Sequence, residues 1–521
     1  DWFKAVLKPW SMQQNGNITM SGGSEKVQSY VSFSTRSQDG FFYNSASKYA
    51  QHDLRTNIDF KVSDNIKLSL DANMRLEQRE GPTAWSAAIF RDLMTALPLQ
   101  VAEWPNGLPG PPLDPTTQNN PLVQATPTAG VNKSDNYVMN FNAKLQIKIP
   151  WVKGLTWSTT GALDKAILYS KNFSKKYALY KWDGVTYDDE NNPYLVPAQY
   201  GSSNLKQQMN AGNSYLINSI LDYQKNIKQR HNISTVAGFE VIENSSSWFS
   251  AERRDFANSY PEELDFGNVN QQYANGSNPG INRWLNFFGR ANYTLDEKYI
   301  AEFVWRYQGS SKFSPETRWG FFPGISLAYR ISEETFWKDG SLGNIINTFK
   351  LRGSWGKTGN DLIAPYQFYS LYQLNFLAFV TADQVYHQVY NESQAGNTKA
   401  QWEEAKQINA GIDMSFLDSK LTLTADYFNN LRTKILITQT ASVPTTTGLV
   451  YILPDVNLGE VRNQGFDFDL AYKSQGNKFR YQIGFNGCYA KNKVLFFDEA
   501  EGYLSWQTQT GHPMYSGLYY E

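Results

Sequence analysis

The chain has 521 residues, a formal net charge of -1 and a single cysteine. The charge balance leaves no electrostatic footprint for a nucleic-acid partner, and Cys488 alone excludes an internal disulfide framework or a cysteine-based metal site. Aromatic residues make up 15% of the sequence, yet mean hydropathy is -0.52 and no apolar run approaches the ~18 residues that a membrane helix needs.

Period-two alternation reconciles many rings with low hydropathy, because a membrane strand spends only every second residue on lipid. Segments 17–22 and 27–36 flank a Gly23-Ser24-Glu25-Lys26 turn, with Val31 and Phe33 on one face. Leu54, Ile58, Phe60 and Val62 share the next face, and Ser63-Asp64-Asn65 turns into Ile66, Leu68, Leu70, Ala72, Met74 and Leu76. A longer pair carries Tyr137 to Ile149 and Leu155 to Leu163 about a turn at 150–154. Tyr215, Ile217, Leu221 and Tyr223 pair across 225–230 with Ile233, Thr235, Ala237, Phe239 and Val241.

The clearest stretch is 287–331. Ala291, Tyr293 and Leu295 lead through Asp296-Glu297-Lys298 into Tyr299, Ala301, Phe303, Trp305 and Tyr307, followed by Ile325, Leu327, Tyr329 and Ile331. After a connection at 332–347 come Phe349, Leu351, Gly353 and Trp355, then Ile408 to Phe416 and Leu421 to Tyr427 about a turn at 417–420. Phe466 to Tyr472 and Phe479 to Phe485, about a turn at 474–477, are the last, giving about sixteen segments. The reading is all-β: a large antiparallel transmembrane β-barrel.

Connections alternate in length. Long ones fall at 78–135, 170–213, 243–285, 356–402 and 434–460. With short turns periplasmic and long loops extracellular, the first segment runs downward. At least one strand is then expected before Asp1, and an odd number after Glu521. Asp1-Trp2-Phe3 looks like neither a translation start nor a mature end, so a fragment is expected.

Six stretches, in order, resemble the barrel of SusC/RagA-type TonB-dependent outer-membrane transporters of Bacteroidetes. They are GNITMSGGSEKVQSYVSFSTRSQDG (16–40), GRANYTLDEKYIAEFVWRYQGSSKF (289–313), WGFFPGISLAYRISEETF (319–336), FKLRGSWGKTGN (349–360), WEEAKQINAGIDMSFLDSKLTLTADYFNN (402–430) and GEVRNQGFDFDLAY (459–472). The resemblance implies a barrel of about 22 strands, with residues 1–521 a partial barrel lacking the N-terminal plug, the TonB box and the last strands. It further implies a multi-pass outer-membrane importer of oligosaccharides or oligopeptides. A SusD-like surface lipoprotein would act as its lid, TonB would supply energy through the plug region, and no catalytic residue or cofactor is expected.

Ligand-binding candidates lie in the long loops. The stretch 78–135 holds Trp85, Trp104 and a proline-rich run, 108–112, expected to be stiff and extended, and 175–200 holds Tyr177, Tyr180, Trp182, Tyr187 and Tyr194. Such rings stack on sugar faces or peptide side chains. For any single ring, packing of loop on loop or on a lid is the favoured reading. Asp183, Asp188, Asp189 and Glu190 miss calcium-loop spacing and read as a solvated acidic turn.

Other motifs lack their structural context. Gly356-Lys357-Thr358 resembles a P-loop end, but Leu351 stands where its first glycine belongs. Ser45-Ala46-Ser47-Lys48, Ser63-Asp64-Asn65 and Lys357-Thr358-Gly359 mimic a penicillin-binding set among strands rather than at a helix start. His52, His231, His387 and His512 have no metal spacing. A passive porin or signalling receptor on the same wall is the alternative function. A soluble β-propeller is disfavoured by alternating runs that often reach ten or more residues.

Overall fold

The computed structural model describes residues 1–43, 47–113, 119–380, 386–439, 441–475, 479–514 and 516. Ser45 and Ala46 of the penicillin-binding mimic, and Gly476 and Asn477 of the last expected turn, lie outside the described residues.

The strands are β1 (Gln13–Gly23), β2 (Val27–Asp39), β3 (Lys48–Lys61), β4 (Ile66–Gly81), β5 (Gly130–Lys148), β6 (Leu155–Ser174), β7 (Tyr177–Lys181), β8 (Val196–Tyr200), β9 (Asn204–Ile227) and β10 (His231–Arg254). They continue with β11 (Gln272–Leu295), β12 (Tyr299–Ser310), β13 (Trp319–Arg330), β14 (Ile346–Asn360), β15 (Leu371–Val380), β16 (Tyr386–Gln394), β17 (Glu403–Phe416), β18 (Leu421–Ile437), β19 (Val456–Gln475) and β20 (Arg480–Phe496). A 16-stranded sheet takes all of these in chain order except the two excursions, β7–β8 and β15–β16, which form separate two-stranded sheets. The short helices are α1 (Trp2–Val6), α2 (Ser86–Thr95), α3 (Pro121–Gln124), α4 (Thr335–Lys338) and α5 (Ser341–Ile345).

The chain divides into two compact units, described separately below. One comprises Asp1–Leu145, Thr160–Tyr215 and Asn244–Ile281; the other comprises Gln146–Thr159, Leu216–Glu243 and Asn282–Glu521.

In the first unit, register fixes two opposite faces. Phe33, Leu54 and Met74 stand side by side on β2, β3 and β4, and Ser34, Asp53 and Arg75 stand side by side on the other face. The apolar face of β4 runs from Ile66 to Leu76. At ~3.3 Å per residue and a tilt of ~40°, that length stands about 25 Å tall, the height of an outer-membrane apolar band.

In the second unit, Ala291, Phe303, Ile325, Trp355 and Ile408 form one cross-strand row. Phe303 is 44%, Ile325 47% and Ile408 49% exposed. A water-soluble monomer does not present a continuous wall of such residues. The opposite face of β14, β17, β18 and β19 aligns Arg352, Gly411, Asp426 and Asp467.

The reversals opposite the long connections are tight. Asp296 and Glu297 take φ of 51° and 60°, and Lys228 and Gln229 take 54° and 58°, the left-handed pairs that a two-residue hairpin turn demands. No glycine announces these turns. Asp296 is held by a two-pronged hydrogen bond from Arg230, at 2.6 and 2.7 Å, which keeps its carboxyl below the usual range. Gly154 (φ 92°) is required for a second reason: a Cβ there would meet the Gln224 carbonyl oxygen at 2.0 Å. At the same strand ends, Tyr299 and Tyr329 stack at 4.9 Å, and both hydroxyls donate to Glu334. Lys298 and those hydroxyls hold the Glu334 carboxyl below its usual range.

Two expectations need correction. β6 continues to Ser174, β9 starts at Asn204, β10 reaches Arg254 and β11 starts at Gln272, so much of 170–213 and 243–285 is strand rather than loop. These stretches are rich in Asn, Ser and Gln, and without a lipid-facing side they lose the alternation that reveals a strand. The remaining loops are themselves folded. Four clusters of buried residues, including Phe42 with Ile89, Leu179 with Val123, Phe173 with Leu205, and Phe313 with Trp402, sit at the long connections.

Candidate functional site

The candidate rings fall on the first unit's long connections. Asn120 is fully buried at the N-terminus of α3, where it accepts from the Leu122 amide and donates to the Gly110 carbonyl. Those bonds fix the proline run. The Gly110 amide donates to the Ala102 carbonyl at 2.9 Å and Glu103 bridges to Pro109, so the run folds back on 101–104 instead of projecting. Pro109 then presents its carbonyl to the Tyr180 amide at 3.1 Å, and the Trp104 indole donates to the Tyr180 carbonyl at 3.0 Å. Trp104 and Tyr180 are thereby brought together.

The β7–β8 hairpin alternates for the usual reason: Tyr177 and Leu179 are buried against Val123 and Ala129. Its tip carries the other rings. Trp182 and Tyr187 meet edge to face at 5.4 Å, and the Trp182 indole donates to the Thr186 carbonyl at 2.7 Å. The Tyr194 amide donates to the same carbonyl at 3.0 Å. Tyr187 and Tyr194 remain 51% and 56% exposed. Trp85 stands apart from these groups, 82% exposed at the start of α2.

The acidic residues of this hairpin organise turns. Asp183 accepts from the amides of Val185 and Thr186 and from the Thr186 hydroxyl, and Asp188 accepts from the amides of Glu190 and Asn192. The Thr186 hydroxyl, then the two amides, hold the Asp183 carboxyl below its ordinary 3.8. A depressed carboxylate stabilises the folded turn above the unfolded value and loses that effect as pH falls through the folded one. Trp182 fluorescence is therefore expected to stay flat from neutrality to about pH 4 and to change only in stronger acid. Asp183→Asn abolishes that acid step; an unaltered step in the variant would refute the assignment.

Other sequence features find structural partners. His52 lies 3.0 Å from the Thr35 hydroxyl, and His231 lies 2.8 Å from that of Tyr293. Cys488 is exposed on β20 opposite Asp467.

Sequence reasoning missed the polar face as a site. In the first unit a cleft of about 520 Å³ is lined by Asp53, Arg55, Asn57, Asp71, Asn73 and Arg75. Arg75 donates to Asp53 at 2.6 Å, Arg55 to Asn57 at 3.2 Å and Asn73 to Asn140 at 3.3 Å. The signal was the other half of the β3 alternation: Gln51, Asp53, Arg55, Asn57 and Asp59. In the second unit Arg352 binds Asp413 at 3.2 Å and Asp426 at 2.5 Å through both guanidinium prongs. Arg352→Met leaves two carboxylates facing each other, partly screened by water, and costs about 2 kcal/mol. Urea unfolding in lipid vesicles measures it, and adding Asp426→Asn restores much of the loss.

The motif Trp402-Glu403-Glu404 was also unread. Trp402 is buried among Phe313, Phe322 and Ala400. Glu403, also buried, accepts from Asn360, Arg432 and the Leu436 amide. Glu404 receives Lys357 at 3.0 Å and Lys434 at 2.8 Å. Gly359, part of the penicillin-binding mimic, is small for packing: a Cβ there would lie 2.1 Å from the Phe322 ring.

Antiparallel strands with one apolar and one hydrogen-bonding face, joined alternately by tight turns and by folded connections, are the pattern of an outer-membrane β-barrel. The chain belongs to the TonB dependent receptor-like, beta-barrel family, whose profile matches residues 84–516. Its resemblance within that family is to the SusC/RagA type. It is 28% identical over 537 residues to TonB-dependent receptor P3 of Formosa agariphila, covering 98% of this chain and 49% of that protein. It is 31% identical over 241 residues to TonB-dependent receptor SusC of Bacteroides thetaiotaomicron, covering 45% of this chain and 23% of SusC. Its fold matches a chain of the RagAB peptide importer in the closed-closed state with a TM-score of 0.76 and 20% identity, over 98% of this chain and 54% of that one. The chain thus spans about half the length of the first two full-coverage relatives, P3 and the RagAB chain.

Proposed function

We infer that this chain forms the wall and extracellular binding surface of an energised importer for oligosaccharides or oligopeptides. It works with a SusD-like surface lipoprotein as a lid at its long-loop end, and with TonB through a plug region outside residues 1–521. The observation that carries the reading is the hairpin tip, where Trp182 and Tyr187 are locked edge to face while Tyr187 and Tyr194 keep exposed ring surface. Rings held rigidly beside turn amides and carboxylates stack on a sugar or a peptide side chain at little entropic cost. Tyr187 and Tyr194 are proposed to meet the ligand or lid directly, with Trp104, Tyr180 and Trp182 proposed as the ring-lined base of that surface and Trp85 as a separate contact.

Purification of the native protein from outer membranes is expected to bring down a lid lipoprotein, and uptake is expected to stop when the proton gradient is collapsed. Uptake that persists without the gradient would favour a passive porin instead. Replacing Trp182 and Tyr187 by Ala is expected to weaken ligand binding about tenfold, as loss of one or two stacking contacts does. Calorimetry on the purified complex reads this, and an unchanged affinity would remove the hairpin from the binding surface.

A further inference from the structure

We propose that the outward face of β14, β17, β19 and β20, at its long-loop edge, binds the phosphate groups of an outer-leaflet glycolipid. Register brings the residues together. Lys357 lies directly opposite Lys406, Lys406 opposite Leu431, Leu431 opposite Arg462, and Arg462 opposite Lys493. Lys491 follows one pleat nearer the membrane, opposite Gln464. Strand parity puts all of these on the face of Trp355, Ile408, Phe466 and Tyr489, immediately beyond the ring-rich edge of the apolar band. In an outer-membrane wall this is the headgroup level of the outer leaflet.

Apart from Lys357, the row lacks internal neutralisation. Glu404 is already shared by Lys357 and Lys434. Glu460 lies past a β-bulge where β19 and β20 lose register. Among the described residues it makes no ion pair with Arg462 or Lys493. Lys406 and Arg462, each on a strand with a neighbour on both sides, are exposed and have no ion pair or side-chain hydrogen bond among the described residues; Lys491 and Lys493 stand beside them on β20, the last strand of the sheet. The first unit differs at the corresponding edge: there Lys133 pairs with Glu80 at 3.3 Å, and Gln78 donates to Asp135.

Like charges directly opposite each other on an antiparallel ladder repel. Arg462 with Lys493 is such a pair, and Lys357, already met by Glu404, stands opposite Lys406. An anion between them converts repulsion into charge-assisted hydrogen bonds, for which the planar Arg462 guanidinium suits a phosphate well. With strands ~4.8 Å apart, Lys406 and Arg462 are separated by about 10 Å across Leu431. That spacing gives two cationic centres flanking an apolar gap, which fits a headgroup bearing two phosphates above acyl chains.

The test uses the native complex in micelles doped with bis-phosphorylated lipid A, with dephosphorylated lipid A or with phosphatidylglycerol, read by native mass spectrometry. Wild type retains lipid A over both competitors. Lys406→Gln, Arg462→Gln and Lys493→Gln together lower retention by at least about tenfold, since each basic residue near a membrane surface adds a comparable increment. A Lys225→Gln, Lys228→Gln control at the short-turn end leaves retention unchanged. If the triple variant does not fold, as judged by heat-dependent gel mobility, retention by wild type over rising sodium chloride serves instead and must fall steeply. Equal retention of dephosphorylated lipid, equal retention by the triple variant, or salt-independent retention by wild type would overturn the proposal.

Discussion

Trp402→Ala is expected to release the β12–β13 connection from the segment preceding β17, at a local cost of about 3–5 kcal/mol, the range for emptying a buried tryptophan site. The ring packs on Phe313 and Phe322 at 5.4 Å from each, and its indole donates to the Arg318 carbonyl at 2.9 Å. Two side-chain bonds rest on that contact, from Ser314 to the Thr398 carbonyl and from Thr317 to the Ala400 carbonyl. Because the cluster lies at loop level, the loss appears as local opening and not as unfolding of the wall. Hydrogen exchange over 311–318 and 398–402 should accelerate by two orders of magnitude or more, roughly as that free energy dictates, while amides of β13 and β14 stay protected. Unaltered exchange in the loop would mean that Trp402 is not its anchor.

A charge on the outward face gives the second large effect. Ile325→Arg places a guanidinium between Phe303 and Trp355, at the centre of the outward-facing run of β13 from Phe321 to Tyr329. At that depth the cost is about 2–4 kcal/mol. Ser326→Arg, one residue on, points to the opposite face beside Glu302 and Ser354 and should change stability by roughly 0.5 kcal/mol or less. Urea unfolding in vesicles separates the two. Equal penalties would mean that both faces meet the same solvent, which is incompatible with a membrane wall.

The sheet was legible in the sequence wherever lipid enforces alternation. Phe303, Ile325, Trp355 and Ile408 fall in one row because each strand was already phased by its own apolar residues. Strand ends were not legible where both faces meet water. The Ser-rich stretch of β10 and the Gln- and Asn-rich start of β11 belong to the same sheet as the rest but carry no period. Helix α2 had a usable signal: Ile89 and Leu93, one turn apart, are both buried.

At the site, ring-rich loops could be recognised from composition, whereas the roles of individual rings could not. Whether an indole caps a neighbour's carbonyl, as Trp104 does for Tyr180, depends on a contact 76 residues away in sequence. Trp402 and Glu403 illustrate the same limit. Adjacent in the chain, they serve a loop cluster and a strand-bridging carboxylate respectively, because Trp402 ends the connection and Glu403 begins β17.

β9, β10 and β11 each run for 24 residues, although crossing a bilayer takes only about 11. More than half of each ribbon is therefore surplus to the crossing and continues as paired strand beyond it. A segment grafted at 255–271 would therefore be carried by hydrogen-bonded strand ends and not by a long free loop.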